Sequence, residues 1–217
     1  GLREAGTLSL LDVKRGDIGS TMSAYAQAYF SPESPLRADA ITLSPFLGFG
    51  SLRPALDLAR QSGRGLFVLT LTSNPEGAQV QHATIGGGAA DGRSVAGSIV
   101  DGVTTENAQP SLASGAAAKP GSGAEELGSV GMVIGATVGD AVRELGLDLA
   151  AANAPLLAPG VGAQGATTQD LRTVFGAALG NVLASSSREI LGAGPDRGAL
   201  RAAARHTARQ LSTILEV

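Results

Sequence analysis

Asp12, Lys14 and Asp17 fall within six consecutive positions of a 217-residue chain. Asp12 and Lys14 are two apart, so on a strand their side chains leave the same face. Gly16 and Gly19 would break that strand and put Asp17 in the turn that follows. The expected result is a buried cation between two carboxylates at the carboxyl end of a strand, which is where α/β folds do chemistry. Neighbouring carboxylates favour the charged ammonium, whereas a Schiff-base lysine needs a desolvated or cation-flanked site. If Lys14 takes part in a reaction, its job is therefore to donate a proton or to hold a fixed positive charge. The same spacing also fits a structural ion pair that caps a strand.

The elements that would carry these residues repeat as strand, loop and helix. Strands are expected at Thr7–Leu11, Asp39–Leu43, Leu66–Leu71, Val130–Ala136, Ala154–Ala158 and Asn181–Ala184, each a short apolar run bounded by Gly, Pro, Ser or Asn. Helices are expected at Thr21–Phe30 (with Tyr25 and Tyr29 on one face), 51–61, 139–147, after an N-cap at Thr167 or Thr168, and at 197–215. Residues 92–107 read as a helix, although Ser94–Val100 also suits a strand. Gln109–Gly123, rich in Ala, Gly, Ser and Pro, reads as a mobile loop.

Six such repeats argue for parallel βα units in a single α/β domain over 1–217. A (β/α)8 TIM barrel needs eight strands, so these would be its third to eighth. Gly1–Gly6 reads as the tail of a helix closed by a glycine, and no initiator Met is present, so an upstream stretch is expected. A doubly wound open sheet is the rival, but the first turn lacks the Gly-x-Gly-x-x-Gly of a dinucleotide site.

The barrel reading gives two further segments a meaning. Phosphate sites in such barrels recur in the loops after strands seven and eight, here Pro159–Gly165 and Ser185–Ile190. The first offers backbone N–H groups from a glycine-rich loop, and the second puts Arg188 at the start of a short helix. Each segment also suits an ordinary turn or surface; together they point to a phosphorylated small molecule. Ser73, at the end of a strand in Thr-Ser-Asn-Pro, could hydrogen-bond a ligand or simply form the turn. His82 reads as solvated, and Arg15 as a solvated or salt-bridged neighbour.

Composition narrows the classes. A net charge of -3 supplies no basic field for nucleic acid or anionic membrane, and 3% aromatic residues give no base-stacking platform. With no cysteine and only His82 and His206, metal ligands are scarce. No apolar run is long enough to span a bilayer, and a cytoplasmic location is expected.

Asp-x-Lys-x-x-Asp-Ile-x-x-Thr, at Asp12, Lys14, Asp17, Ile18 and Thr21, resembles the signature of orotidine 5'-phosphate decarboxylases. Ser-Pro-Phe-Leu-Gly, Thr-Ser-Asn-Pro and Pro-Gly-Val-Gly-Ala-Gln-Gly are similar to the longer bacterial branch of that family, and only residues 84–124 are undistinctive. The resemblance implies a TIM barrel that converts orotidine 5'-phosphate (OMP) to uridine 5'-phosphate (UMP) and carbon dioxide in pyrimidine biosynthesis, without metal or organic cofactor. It implies that Lys14 protonates C6 and that Asp12 lies against the substrate carboxylate and holds Lys14. Asp17 and Thr21, with Ile18 between them in the motif, would reach the partner's site in a homodimer. Ser73 would bond the pyrimidine, Gln164 would link it to the phosphate beside Pro159, and Arg188 would clamp the phosphate.

Two departures stand out. The family's tetrad alternates Lys-Asp-Lys-Asp, and its first Lys and a ribose-binding Asp, which belong on earlier strands, are expected upstream. Ser187 replaces the Gly that many members carry before the phosphate-binding Arg, which bears on the path of that loop. The rival readings are a metal-dependent sugar-phosphate decarboxylase or aldolase of the same superfamily, and a non-catalytic nucleotide-binding protein.

Overall fold

A computed structural model describes residues 2, 4–109, 126–161 and 166–215. Six strands, β1 (Leu10–Arg15), β2 (Ala40–Leu43), β3 (Gly65–Leu71), β4 (Val130–Ile134), β5 (Leu156–Pro159) and β6 (Val182–Ser185), lie in sequence order in one sheet. Pairing is parallel in β1–β2, β2–β3 and β5–β6. Between the strands run α1 (Gly19–Phe30), α2 (Arg53–Ser62), α3 (Ala78–Gln81), α4 (Val95–Asn107), α5 (Ala141–Glu144) and α6 (Thr168–Phe175); α7 (Arg188–Leu191) and α8 (Arg197–Leu215) follow β6. The βα repeat expected from the sequence is present. Contacts group the chain into two compact units.

The first unit comprises Gly1–Thr70, Ser98–Met132 and Ala152–Pro155. Its core is apolar: Met22, Ala26 and Phe30 of α1, Ile41 and Leu43 of β2, Leu56 and Ala59 of α2, Leu66 and Val68 of β3 are all buried. The α1 and α2 helices pack on each other. Gly63, left-handed at φ 61°, closes α2 and returns the chain to β3. Asp39, partly buried, accepts from the N–H and hydroxyl of Ser9 (2.9 Å each) and from Arg64 (2.7 Å), which ties the leading ends of three strands together. Glu106 of α4 accepts from Arg53 and Arg60 of α2.

Asn107 ends α4 with an amide that imitates a strand. Its Nδ2 donates to the carbonyls of Val130 (2.8 Å) and Ala152 (3.0 Å), and its Oδ1 accepts from the Val130 N–H (3.1 Å). Gly128 leaves room for this amide; a Cβ there would lie 2.1 Å from it. Asn107→Ala should lower stability by about 2–4 kcal/mol, since it leaves three backbone groups unpaired. Urea titration checks this, as a lower midpoint at unchanged slope.

The second unit comprises Leu71–Gly97, Val133–Ala151 and Leu156–Val217. Leu71, Val133, Ile134, Leu156, Ala158, Leu171, Val174 and Phe175 are buried in it. Thr167 caps α6: its hydroxyl accepts from the Asp170 N–H, and the Asp170 side chain accepts from the Thr167 N–H. The Thr167 N–H first, and then the Thr167 hydroxyl, which donates to Asp170 Oδ2 at 2.7 Å, hold the Asp170 carboxyl below its ordinary range. Ser94 accepts from the Gly97 N–H at 3.0 Å and so starts α4, which makes 95–107 helical rather than extended. The helix expected over 139–147 is one turn, because Gly139 and Gly146 are both left-handed (φ 60° and 61°) and stop it at either side. The loop expected over Gln109–Gly123 lies outside the described residues from 110 onward.

Candidate active site

In the first unit, β1 keeps regular register with β2 only as far as Leu11↔Ile41; the next pair is Arg15↔Leu43. Four steps of β1 thus stand against two of β2, an irregularity that re-aims side chains. Lys14 absorbs it with a left-handed backbone, φ 47°, where a residue other than glycine is uncommon and strained. Simple alternation is therefore not what brings Asp12 and Lys14 together. They meet across this irregular stretch of β1, where the Lys14 ammonium pairs with Asp12 Oδ2.

The pair departs from the expected buried cation held by two carboxylates. Lys14 and Asp12 side chains are 51% and 59% exposed. Asp17 does not join them: its Oδ1 accepts from the Ile18 N–H at 2.8 Å. It lies past the end of β1, half-buried, on the extended segment that leads into α1. Gly16 is required there by close approach, since a Cβ would fall 2.1 Å from the Ser44 carbonyl oxygen. Thr21, in the first turn of α1, is exposed, as is Ile18. Arg15 is exposed, with its guanidinium 5.7 Å from the centre of the Tyr25 ring.

Thr42 of β2 is the site residue that sequence reasoning missed. It is fully buried, its Oγ1 accepts from the Lys14 N–H at 2.9 Å, and it donates to Asp12 Oδ1 at 2.9 Å. The signal was a hydroxyl inside the apolar run Ala-Ile-Thr-Leu, because a buried polar group needs a partner.

In the second unit, Ser73 is exposed just past β3. Its flanking backbone is clamped by Gln81, which accepts from the Thr72 N–H (2.9 Å) and donates to the Thr72 hydroxyl (2.8 Å). Gln81, on the one-turn α3, was also absent from the sequence reading. Pro159 closes β5, and its carbonyl accepts from the Ala136 N–H at 2.9 Å. Gly160 follows at φ 103°; Gln164 and the rest of Gly162–Gly165 lie outside the described residues. Arg188 opens α7 and is exposed. Ser187 before it has φ -125°, which any residue adopts, so the serine introduces no left-handed strain. His82 is exposed, as expected.

Among the described residues no three His, Asp or Glu side chains form a group that could hold a metal, and no described helix is long and apolar enough to cross a membrane.

The profile of the "Orotidine 5'-phosphate decarboxylase / HUMPS family" matches residues 1–203. A Salinispora arenicola orotidine 5'-phosphate decarboxylase is 57% identical over 203 residues, covering 94% of this chain and 65% of that protein. Its Streptomyces coelicolor counterpart is 53% identical, covering 98% and 69%. The crystal structure of an inferred orotidine 5'-phosphate decarboxylase from Streptomyces avermitilis superposes with a TM-score of 0.84 at 51% identity, covering 99% of this chain and 68% of that one. The Leishmania donovani OMP decarboxylase gives 0.67 at 28% identity, covering 98% and 70%. The fold is accordingly of the (β/α)8-barrel class, and the chain spans about two thirds of the length of these relatives.

Proposed function

Because this chain belongs to the orotidine 5'-phosphate decarboxylase / HUMPS family, we propose that it carries the proton donor and the phosphate clamp of an enzyme that converts OMP to UMP and carbon dioxide. Its six strands would be the third to eighth of the barrel. The observation that carries this reading is the Lys14 ammonium held on Asp12, whose carboxylate is held in turn by Thr42.

The bond from C6 to the carboxylate breaks, carbon dioxide leaves, and the electron pair stays on C6. That carbon has no conjugated sink, so a preorganised cation beside it is the means of stabilising the developing charge. Lys14 Nζ then delivers its proton to C6. Asp12 faces the departing carboxylate and keeps the ammonium aimed. Arg188 and Gln164 bind the phosphate end, Pro159 borders it, and Ser73 hydrogen-bonds the pyrimidine. Binding energy from the remote phosphate can offset the cost of bringing a carboxylate up to Asp12.

OMP is favoured over a sugar phosphate by the continuation Ile18-x-x-Thr21 and by the names of the relatives above. An assay with chelator present separates the two. UMP formation that survives chelation supports the proposal; activity only on a sugar phosphate, lost on chelation, would overturn it. That reaction would place the protein in pyrimidine nucleotide synthesis, and we propose the cytoplasm as its location.

We also propose a homodimer in which Asp17 and Thr21 complete the partner's site. In support, Asp17 makes its bond away from Lys14, and the loops after β1 and β2 expose Ile18, Phe46 and Leu47 (62%, 75% and 54%), an apolar display that suits an interface. Mixing Lys14→Ala with Asp17→Ala subunits should restore roughly a quarter of wild-type activity, since about half of random dimers are hybrids with one intact site. Hybrid dimers without recovered activity would contradict a shared site.

A further inference from the structure

We propose that Thr42 is a positioning residue that aims Lys14, an inference resting on the reading of Lys14 as the proton donor. A threonine hydroxyl has one proton and two acceptor lone pairs. The Lys14 N–H can only donate, so Oγ1 accepts there, and the hydroxyl's own proton goes to Asp12 Oδ1. Asp12 Oδ2 in turn takes the Lys14 ammonium. Four groups close a ring: the backbone of Lys14, the hydroxyl of Thr42, the carboxylate of Asp12 and the ammonium of Lys14. The buried side chain of Thr42 thereby fixes the backbone of Lys14 directly and its ammonium through Asp12.

Local geometry shows why a side chain is needed. The strand pair loses its regular register between Leu11 and Arg15, and Lys14 sits there at φ 47°. The hydroxyl supplies an acceptor for the N–H where the ladder is broken, and so anchors the backbone in its unusual conformation. Thr70 gives the contrast. It is equally buried, on β3, and donates to the Val68 carbonyl of its own strand at 3.0 Å. A buried threonine can thus satisfy itself within its own strand; Thr42 instead spends both of its bonds on Lys14 and Asp12.

The test is a graded series, Thr42→Ser, Thr42→Cys and Thr42→Val, read by kcat and KM for OMP, UMP affinity and thermal unfolding. Thr42→Val should lower kcat about 10–100-fold, the scale expected when a reacting group is misplaced by about an ångström. Its UMP affinity should stay within about threefold, because the product-binding groups are untouched. Thr42→Ser should recover most of the loss, and Thr42→Cys, a weak donor and acceptor, should fall between.

A second readout does not depend on turnover. The pH profile of Lys14 acylation, followed by competitive labelling and mass spectrometry, should move in Thr42→Val and return in Thr42→Ser. A folded Thr42→Val with wild-type kcat and an unchanged labelling profile would overturn the proposal. Should Thr42→Val fail to fold, Thr42→Cys is judged by the same two criteria, with Thr42→Ser as the variant expected to stay close to wild type. Wild-type protein that does not turn over OMP would remove Lys14 as donor, while the labelling profile would still decide whether Thr42 positions it.

Discussion

Replacing Lys14 by alanine should cut OMP turnover by at least about 1,000-fold while leaving UMP affinity within about threefold of wild type. The asymmetry follows from what the ammonium does. It interacts most strongly with charge that develops at C6 as the carboxylate leaves, and then supplies the proton. Such an interaction acts in the transition state, not in the product complex, so its loss appears in kcat. Alanine leaves the Lys14 N–H and its bond to Thr42 in place, which keeps the bulged end of β1 anchored. Rapid-quench turnover and calorimetric UMP binding check the two halves of the prediction. Turnover within tenfold of wild type would remove Lys14 as the acid.

Arg188→Ala should weaken UMP binding roughly 10–100-fold, the range for losing charge-assisted hydrogen bonds to an anion. Comparison with uridine, which lacks the phosphate, makes the test specific. Wild-type protein should prefer UMP strongly, and the variant should lose most of that preference while its weak affinity for uridine stays the same. Because Arg188 is exposed at the start of a single helical turn, alanine there leaves the buried residues of the second unit untouched. An unchanged preference for UMP would remove Arg188 from the phosphate site.

The order of elements was legible because each strand is a short apolar run ended by a turn former, and each long helix carries its own stops. Errors arose where one signal was read alone. The first strand was expected at Thr7–Leu11 because that run is apolar, yet it covers Leu10–Arg15. Its charged half remains a strand because partners on β2 take up its polar groups, a tertiary effect that hydrophobicity does not carry. The pattern over 92–107 suits a helix or a strand, and the Ser94 cap on the Gly97 N–H decides for the helix. Thr-Ser-Asn-Pro suits either a turn or a ligand contact, and the structure continues it through a 3-10 turn at Pro75–Gly77 into α3.

For the site, residue types were legible and their geometry was not. The spacing of Asp12 and Lys14 was enough to pair them, but the route is a left-handed lysine in a broken register, which no alternation rule contains. Asp17 was expected on the same cation and bonds elsewhere, because the turn at Gly16 separates it from the strand. Thr42 and Gln81 escaped notice since each acts from a different element, 28 residues from Lys14 in one case and 9 from Thr72 in the other. Contacts across such distances belong to the fold rather than to any local pattern.

Release of carbon dioxide from carboxyl-labelled OMP, measured with chelator present on protein expressed from its complete reading frame, tests the central claim most directly. The account predicts labelled carbon dioxide and UMP in equal amounts, unaffected by chelation and lost in Lys14→Ala. Protein that binds UMP tightly but releases no carbon dioxide would contradict it.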